Sequence, residues 1–169
     1  MEEKVVLVDS QDQVLGEMEK MQAHQTGLLH RAFSVFLFNK QGEMLLQKRA
    51  FSKYHSPGQW TNACCSHPRI SESYKQAANR RLMEELGIET PIEEKFSFIY
   101  CADVGEGLIE HELDHVFVGQ YEGTFDLNKE EVDSIRYISL QDLEKEMQEK
   151  AEDFTPWFKI ILNEYKQHL

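Results

Sequence analysis

The chain has 169 residues, 41% hydrophobic and 28% charged, which suffices for the core of one globular domain and leaves no room for a second full one. Its formal net charge of -12 and pI near 5.0 argue against nucleic acid or an anionic membrane as partner, because a strongly negative surface repels phosphate backbones. Any anionic substrate must therefore meet a local basic cluster. The opening Met1-Glu2-Glu3-Lys4 lacks a basic region followed by an apolar run, and no stretch approaches the ~18 apolar residues of a membrane span. A soluble, cytoplasmic protein is the expectation. The three cysteines, two of them adjacent at Cys64 and Cys65, are a poor basis for a disulfide framework and suit a reducing compartment.

In chain order, Val5 to Val8 and Val14 to Glu17 read as a short hairpin turned at Ser10-Gln11-Asp12. Arg31 to Asn39 and Glu43 to Arg49 are apolar, β-prone runs joined by Asn39-Lys40-Gln41-Gly42, and they read as a second hairpin. Ser73 with Gln76 forms a capping-box signal, so a helix is expected from about Tyr74 to Leu86, ending at Gly87 with Pro91 beyond. On it Ala78, Leu82 and Leu86 make one apolar line. Lys95 to Asp103, Glu110 to Tyr121 and Ser134 to Ile138 read as further strands, followed by helices over about Leu140 to Lys150 and Pro156 to Gln167. Thr155-Pro156 is a favourable start for the last helix. No internal repeat, linker or low-complexity tract interrupts the pattern. An α/β (α+β) domain spanning residues 1–169 follows, with a mixed β-sheet sandwiched by helices.

From Ser66 the chain runs five residues to Glu72, seven more, and then Arg80-Arg81-Leu82-Met83-Glu84-Glu85-Leu86-Gly87-Ile88. This resembles the Nudix box, with two departures: Ser66 replaces its leading Gly, and Arg81 replaces a Glu. In that family the box glutamates hold divalent cations on a diphosphate and assist attack by water. Arg81 and Glu85, four residues apart, share a helix face, so they can grip a diphosphate directly and through Mg²⁺ respectively. Such a site would bind a diphosphate without hydrolysing it.

Further segments carry a more specific resemblance. Glu19-Lys20-Met21-Gln22-Ala23-His24, Leu29-His30-Arg31-Ala32-Phe33-Ser34, Lys48-Arg49-Ala50 with Ser52-Lys53, Pro57-Gly58-Gln59-Trp60-Thr61-Asn62, Cys65-Ser66-His67-Pro68 and Glu110-His111-Glu112 follow one another in order. Together they resemble type 1 isopentenyl diphosphate isomerases of the Nudix superfamily, which interconvert isopentenyl and dimethylallyl diphosphate. The match runs from about residue 4 to Trp157.

Glu110 and Glu112 alternate on an expected strand and so point to one face, where both can approach one ion. The resemblance implies His24, His30, His67, Glu110 and Glu112 as its ligands, a nitrogen and oxygen set that suits Mn²⁺ or Zn²⁺. His55, His111, His115 and His168 are left as ordinary surface or hydrogen-bonded residues. The resemblance also implies Lys20, Arg49, Lys53 and Arg81 as diphosphate-binding cations, with Glu85 holding a substrate-borne Mg²⁺. Cys65 on one side, and Glu112 with Tyr100 beside it on the other, are implied as the proton-transferring groups. Either order of protonation stays open. Trp157 is implied as the aromatic face opposite a carbocation, an interaction of about 2 kcal/mol or more when desolvated. Cys64 and Cys101 lack motif support and read as small hydrophobes. The expected partner is a small-molecule diphosphate, and the chain is expected to be a monomer or a weak homodimer.

Other functions fit less of the pattern. A Nudix hydrolase of a small diphosphate would share the fold and Mg²⁺, but should keep the carboxylate that Arg81 replaces and has no use for Cys65. A non-catalytic metal-binding module leaves the joint placement of thiol, carboxylates and phosphate ligands unexplained.

Overall fold

The computed structural model describes residues 3–169. The absence of a leader was read partly from Met1 and Glu2, which lie outside them. Among the described residues no helix is long and apolar enough to cross a membrane.

The sheet is assembled around one strand. The chain opens with β1 (Lys4–Val8), β2 (Val14–Glu19) and the helix α1 (Lys20–Thr26), then enters β3 (His30–Phe38). Val5, Val6, Val8 and nearly all of β3 are buried, and β3 pairs antiparallel with β6 (Cys64–Ser66) and parallel with β8 (Leu108–Gln120). A strand flanked on both edges and covered on both faces reads as a continuous apolar run, which is the pattern of Phe33 to Phe38. The mixed sheet is extended by β4 (Met44–Arg49), β5 (Trp60–Thr61), β7 (Ile92–Gly105) and β9 (Val132–Ile138).

Alternation along β3 divides the core. Phe33, Val35 and Leu37 face α2 (Tyr74–Leu86), packing with Ala77, Ala78, Leu82 and Leu86. Phe36 points the other way, toward α3 (Leu140–Glu149) and α4 (Pro156–Tyr165), where it meets Leu143, Phe154, Phe158 and Ile161. Each such fully buried large side chain stabilises the fold by about 1.5–3 kcal/mol. The expected sandwich of a mixed sheet between helices is the observed architecture.

Besides the short strands β5 and β6, which had no expectation, two details differ from the sequence reading. The second hairpin closes as expected, with Asn39 Oδ1 accepting from the backbone N–H groups of Gln41 and Glu43. However, β3 and β4 share only the registered pair Phe38 and Met44. Beyond it they part, because β6 and β8 take the edges of β3 while β5 and β9 take those of β4. The other difference is α1. Seven residues are too short for a periodic signal, and its cap is Glu19, whose carboxylate accepts from Met21 and Gln22 N–H groups in place of the usual Ser, Thr, Asp or Asn.

Helix α2 carries the capping box that the sequence announces, and Gly87 ends it in the left-handed region at φ 67°. A Cβ there would stand 2.7 Å from Asp126 Cβ and 2.8 Å from its carbonyl oxygen, so glycine is required on both counts. Just before the helix, Glu72 accepts from Arg80 Nε at 2.7 Å and Nη2 at 2.9 Å, and from the Arg69 N–H at 2.8 Å. These bonds outweigh burial and hold its carboxyl below the usual carboxylate range. A carboxylate lowered on folding contributes stability above its unfolded pKa and loses it as pH falls through the folded one. Glu72→Gln should therefore cost about 1 kcal/mol near neutral pH, measured by thermal melting. The difference from wild type should shrink as pH falls below the ordinary carboxylate range.

Candidate active site and metal centre

Period-two alternation on β8 sends Glu110, Glu112 and Asp114 to one buried face. The parallel register of β3 sets His30 opposite Glu112, α1 supplies His24, and the chain leaving β6 supplies His67. His24 Nε2 lies 2.8 Å from Glu110 Oε1. Glu112 Oε2 lies 3.1 Å from His30 Nε2 and 2.8 Å from His67 Nε2. One ligand atom from each of these five residues falls within 4.8 Å of all the others. The five ligands implied from sequence thus converge.

Burial works against charge on both glutamates. His24 and His55 outweigh it at Glu110, whose carboxyl is held well below the usual range. Glu112 is raised, because burial is reinforced by the charge of Glu110 beside it. His24 and His30 are raised despite burial by Glu110 and Glu112, whereas His67 is lowered by burial and by the neighbouring His30 and His24. The far nitrogens of two imidazoles are already engaged: His24 Nδ1 with the Lys20 carbonyl at 2.7 Å and His30 Nδ1 with the Leu28 carbonyl at 2.9 Å. That arrangement fixes each ring with Nε2 toward the carboxylates, as a metal-ligating imidazole requires. Glu110 Oε2 is buried without a hydrogen-bond partner. The cluster fits a divalent metal ion.

In the lining of the same pocket Cys65 donates its S–H to Asn62 Oδ1 at 3.0 Å and accepts from Trp157 Nε1–H at 3.1 Å. Burial, and then the charge of Asp114, push this thiol up to about 12 against the bonds from Trp157, Ser34 and Asn62. Cys65 therefore holds its proton. Tyr100 donates its hydroxyl proton to Glu112, which places that phenol beside the carboxylate as implied from sequence. Cys64 faces away from Cys65, with its thiol 3.1 Å from Glu85 Oε2.

The four implied cations line the same pocket. The Arg49 guanidinium lies 5.3 Å from the Trp157 ring centroid, and its Nη2 donates to the His55 carbonyl at 3.1 Å. Arg49 Nε is buried without a partner. Arg81 Nη2 is 3.3 Å from Glu85 Oε2, and Glu85 is 3% exposed. Lys20 sits over the Tyr54 ring at 4.9 Å, and Lys53 lies 2.5 Å from Glu131.

A NUDIX domain model matches residues 28–158. The chain is 48% identical over 164 residues to the isopentenyl-diphosphate Delta-isomerase of Serratia proteamaculans, covering 97% of this chain and 92% of that protein. It is 46% identical over 163 residues to isopentenyl-diphosphate Delta-isomerase 2 of Photorhabdus laumondii, covering 96% and 92%. The chain belongs to the isopentenyl-diphosphate Delta-isomerases of the NUDIX family. A crystal structure from Deinococcus radiodurans shares the fold with a TM-score of 0.79 at 19% identity, covering 96% of this chain and 99% of that one. A MutT protein from Methanosarcina mazei gives 0.66 at 18% identity, covering 82% and 94%.

Around this pocket the structure adds residues that the sequence reading passed over. His55 was left as an ordinary histidine, yet its Nε2 lies 2.7 Å from Glu110 Oε1. Its ring stacks on His24 and meets Trp157 edge to face. It sits in a loop between β4 and β5, where no periodicity shows which way a side chain points. Asp114 was legible: it continues the alternation of Glu110 and Glu112 by one more step. It is 1% exposed and accepts from Ser34 Oγ at 2.7 Å. Tyr54 and Glu131 carry no local signal and are recruited by loop conformation, while Asn62, which closes the Pro57 to Asn62 motif, was given no role of its own.

Because His24 and His30 are raised by their carboxylates, protons compete with a metal for the same nitrogens. Raised imidazoles stay protonated to higher pH, so metal binding should weaken on acidification. Loaded protein dialysed at about pH 8 should retain its ion and at about pH 5.5 should lose most of it, as read by elemental analysis. Equal retention at the two pH values would contradict this assignment.

Proposed function

We propose that this protein interconverts isopentenyl diphosphate and dimethylallyl diphosphate within a single domain, moving a proton across the allyl unit and leaving the diphosphate intact. The observation that carries the reading is the convergence in one pocket of Cys65, the Glu110 and Glu112 pair with its histidines, and four cations. Family membership at 48% identity supports it. The substrate is a free small-molecule diphosphate, and the cytoplasm is the expected compartment.

Binding falls to Lys20, Arg49, Lys53 and Arg81. Arg81 can engage two phosphate oxygens at once, while the lysines act as compact charges. Glu85, fixed by Arg81 and by Gln47 Nε2 at 3.3 Å, would hold a Mg²⁺ carried in with the diphosphate. His24, His30, His67, Glu110 and Glu112 would hold Mn²⁺ or Zn²⁺, whose charge compensates the buried carboxylates.

Cys65 and Glu112 exchange protons with the substrate from opposite sides. As one delivers a proton to the terminal alkene carbon, the π pair forms the new C–H bond and a tertiary cation remains. The other group then takes a proton from the neighbouring carbon, and that C–H pair becomes the new double bond. Exchanging the two roles reverses the isomerisation. In the resting arrangement Cys65 carries its proton and Glu112 accepts from Tyr100. Trp157 is 3% exposed and its ring already attracts a cation, the Arg49 guanidinium. The same attraction stabilises a carbocation, and the surrounding side chains keep out the water that would trap it.

The test is incubation of metal-loaded protein with isopentenyl diphosphate and Mg²⁺ in deuterated water, followed by NMR. Dimethylallyl diphosphate should appear with deuterium in its new methyl group and no phosphate release, and Cys65→Ala should slow this by about 10²–10⁴-fold. Phosphate release, or an unchanged rate in the variant, would contradict the proposal.

A further inference from the structure

The phosphate side of the pocket holds carboxylates that the isomerisation does not use. Glu131 reaches in from the segment before β9, and its Oε2 lies 2.5 Å from Lys53 Nζ and 3.5 Å from Arg81 Nη2. Glu3 similarly lies 3.5 Å from Lys20 Nζ. The backbone fixes Glu131 in place. Its carbonyl accepts from the Ala50 N–H at 3.0 Å, its own N–H donates to the Asn128 carbonyl at 3.0 Å, and the Asn128 N–H donates to the Glu85 carbonyl at 3.0 Å. One short segment is thereby tied both to the residue after Arg49 and to the helix that carries Arg81 and Glu85. Burial opposes charge on Glu131, but Lys53 and Arg81 outweigh it and hold its carboxyl below the usual range. It is an anion in the substrate-free pocket.

We propose that Glu131 is a substrate-selecting counter-charge: it takes the place of a diphosphate oxygen between Lys53 and Arg81, and it restricts the pocket to diphosphate that already carries Mg²⁺. The inference rests on the diphosphate reading of this pocket and concerns which charge state of the substrate it admits. On the phosphate side Lys20, Arg49, Lys53 and Arg81 face Glu3, Glu85 and Glu131, an excess of one positive charge. A bare diphosphate exceeds that charge and sets phosphate oxygens against Glu131 and Glu85. A diphosphate partly neutralised by Mg²⁺ does not. Like charges brought together at a desolvated contact are a strong discriminator, while the surrounding cations keep overall binding favourable.

The experiment measures inorganic diphosphate binding by calorimetry, in magnesium-free buffer and in millimolar Mg²⁺, for wild type and Glu131→Gln. The amide keeps the shape of the side chain and removes its charge. Affinity for bare diphosphate should rise by about tenfold or more in Glu131→Gln, while affinity in Mg²⁺ changes by less. The factor by which Mg²⁺ strengthens binding should therefore shrink. Glu131→Ala, which also removes the side chain's contacts, should shift that factor in the same direction. If Glu131 merely props Lys53 and Arg81, both affinities fall together and the Mg²⁺ factor stays at its wild-type value, which overturns the inference and leaves the isomerase reading standing. Wild type that binds diphosphate in neither buffer overturns the phosphate pocket and the inference with it.

Discussion

Glu110 and Glu112 lie buried on one face of β8, close enough for each to alter the other's ionisation. Taking one carboxylate out of water costs several kcal/mol, and a second beside it adds repulsion. The protein answers with His24 and His55 on Glu110, and with His30, His67 and Tyr100 on Glu112. Four of these five groups are imidazoles, and a neutral imidazole can present nitrogen to a metal. A site that needs positive charge to exist is thus also one that can bind and use it.

The fold follows from delivering these groups to one place. β3 lies beside β8 on one edge and β6 on the other, so a single strand aligns His30 with Glu112 and Ser34 with Cys65. Helix α1 turns the chain so that His24 reaches Glu110 near the start of β8, and α4 brings Trp157 onto Cys65. α2 then places Arg81 and Glu85 in the lining of the same pocket. The groups proposed for proton transfer, metal and phosphate come from separate elements, most of them on a strand or a helix and the rest, such as Lys53 and His67, on loops between them. The substrate is accordingly expected to meet a pocket that is largely formed before it arrives.

The longer strands and helices were legible because their signals are local: alternation on β8, the capping box of α2, and Thr155-Pro156 ahead of α4; β5 and β6, of two and three residues, were too short to read. The cluster able to hold a metal was legible through motif order. His24, His30, His67, Glu110 and Glu112 are far apart in the chain, and only resemblance joined them before the structure did. α1 escaped because one short polar helix has no periodicity to detect. His55 and Glu131 escaped because their side-chain directions are set by loops, whose conformation depends on tertiary contacts such as that between Ala50 and Glu131. Asp114 was within reach of the alternation that identified its two neighbours. The splaying of β3 from β4 had no sequence signal, since it reflects competition among strands that lie far apart in the chain.

The measurement that tests the central claim most directly is thermal melting of wild type and Glu112→Gln, each metal-free and with saturating Mn²⁺ or Zn²⁺. If the buried carboxylate pair is built to receive a cation, metal should raise the wild-type Tm by at least about 5 °C and raise that of Glu112→Gln far less. A wild-type Tm indifferent to metal would mean that the imidazoles alone balance the carboxylates, and the metal-centred account of this site would fail.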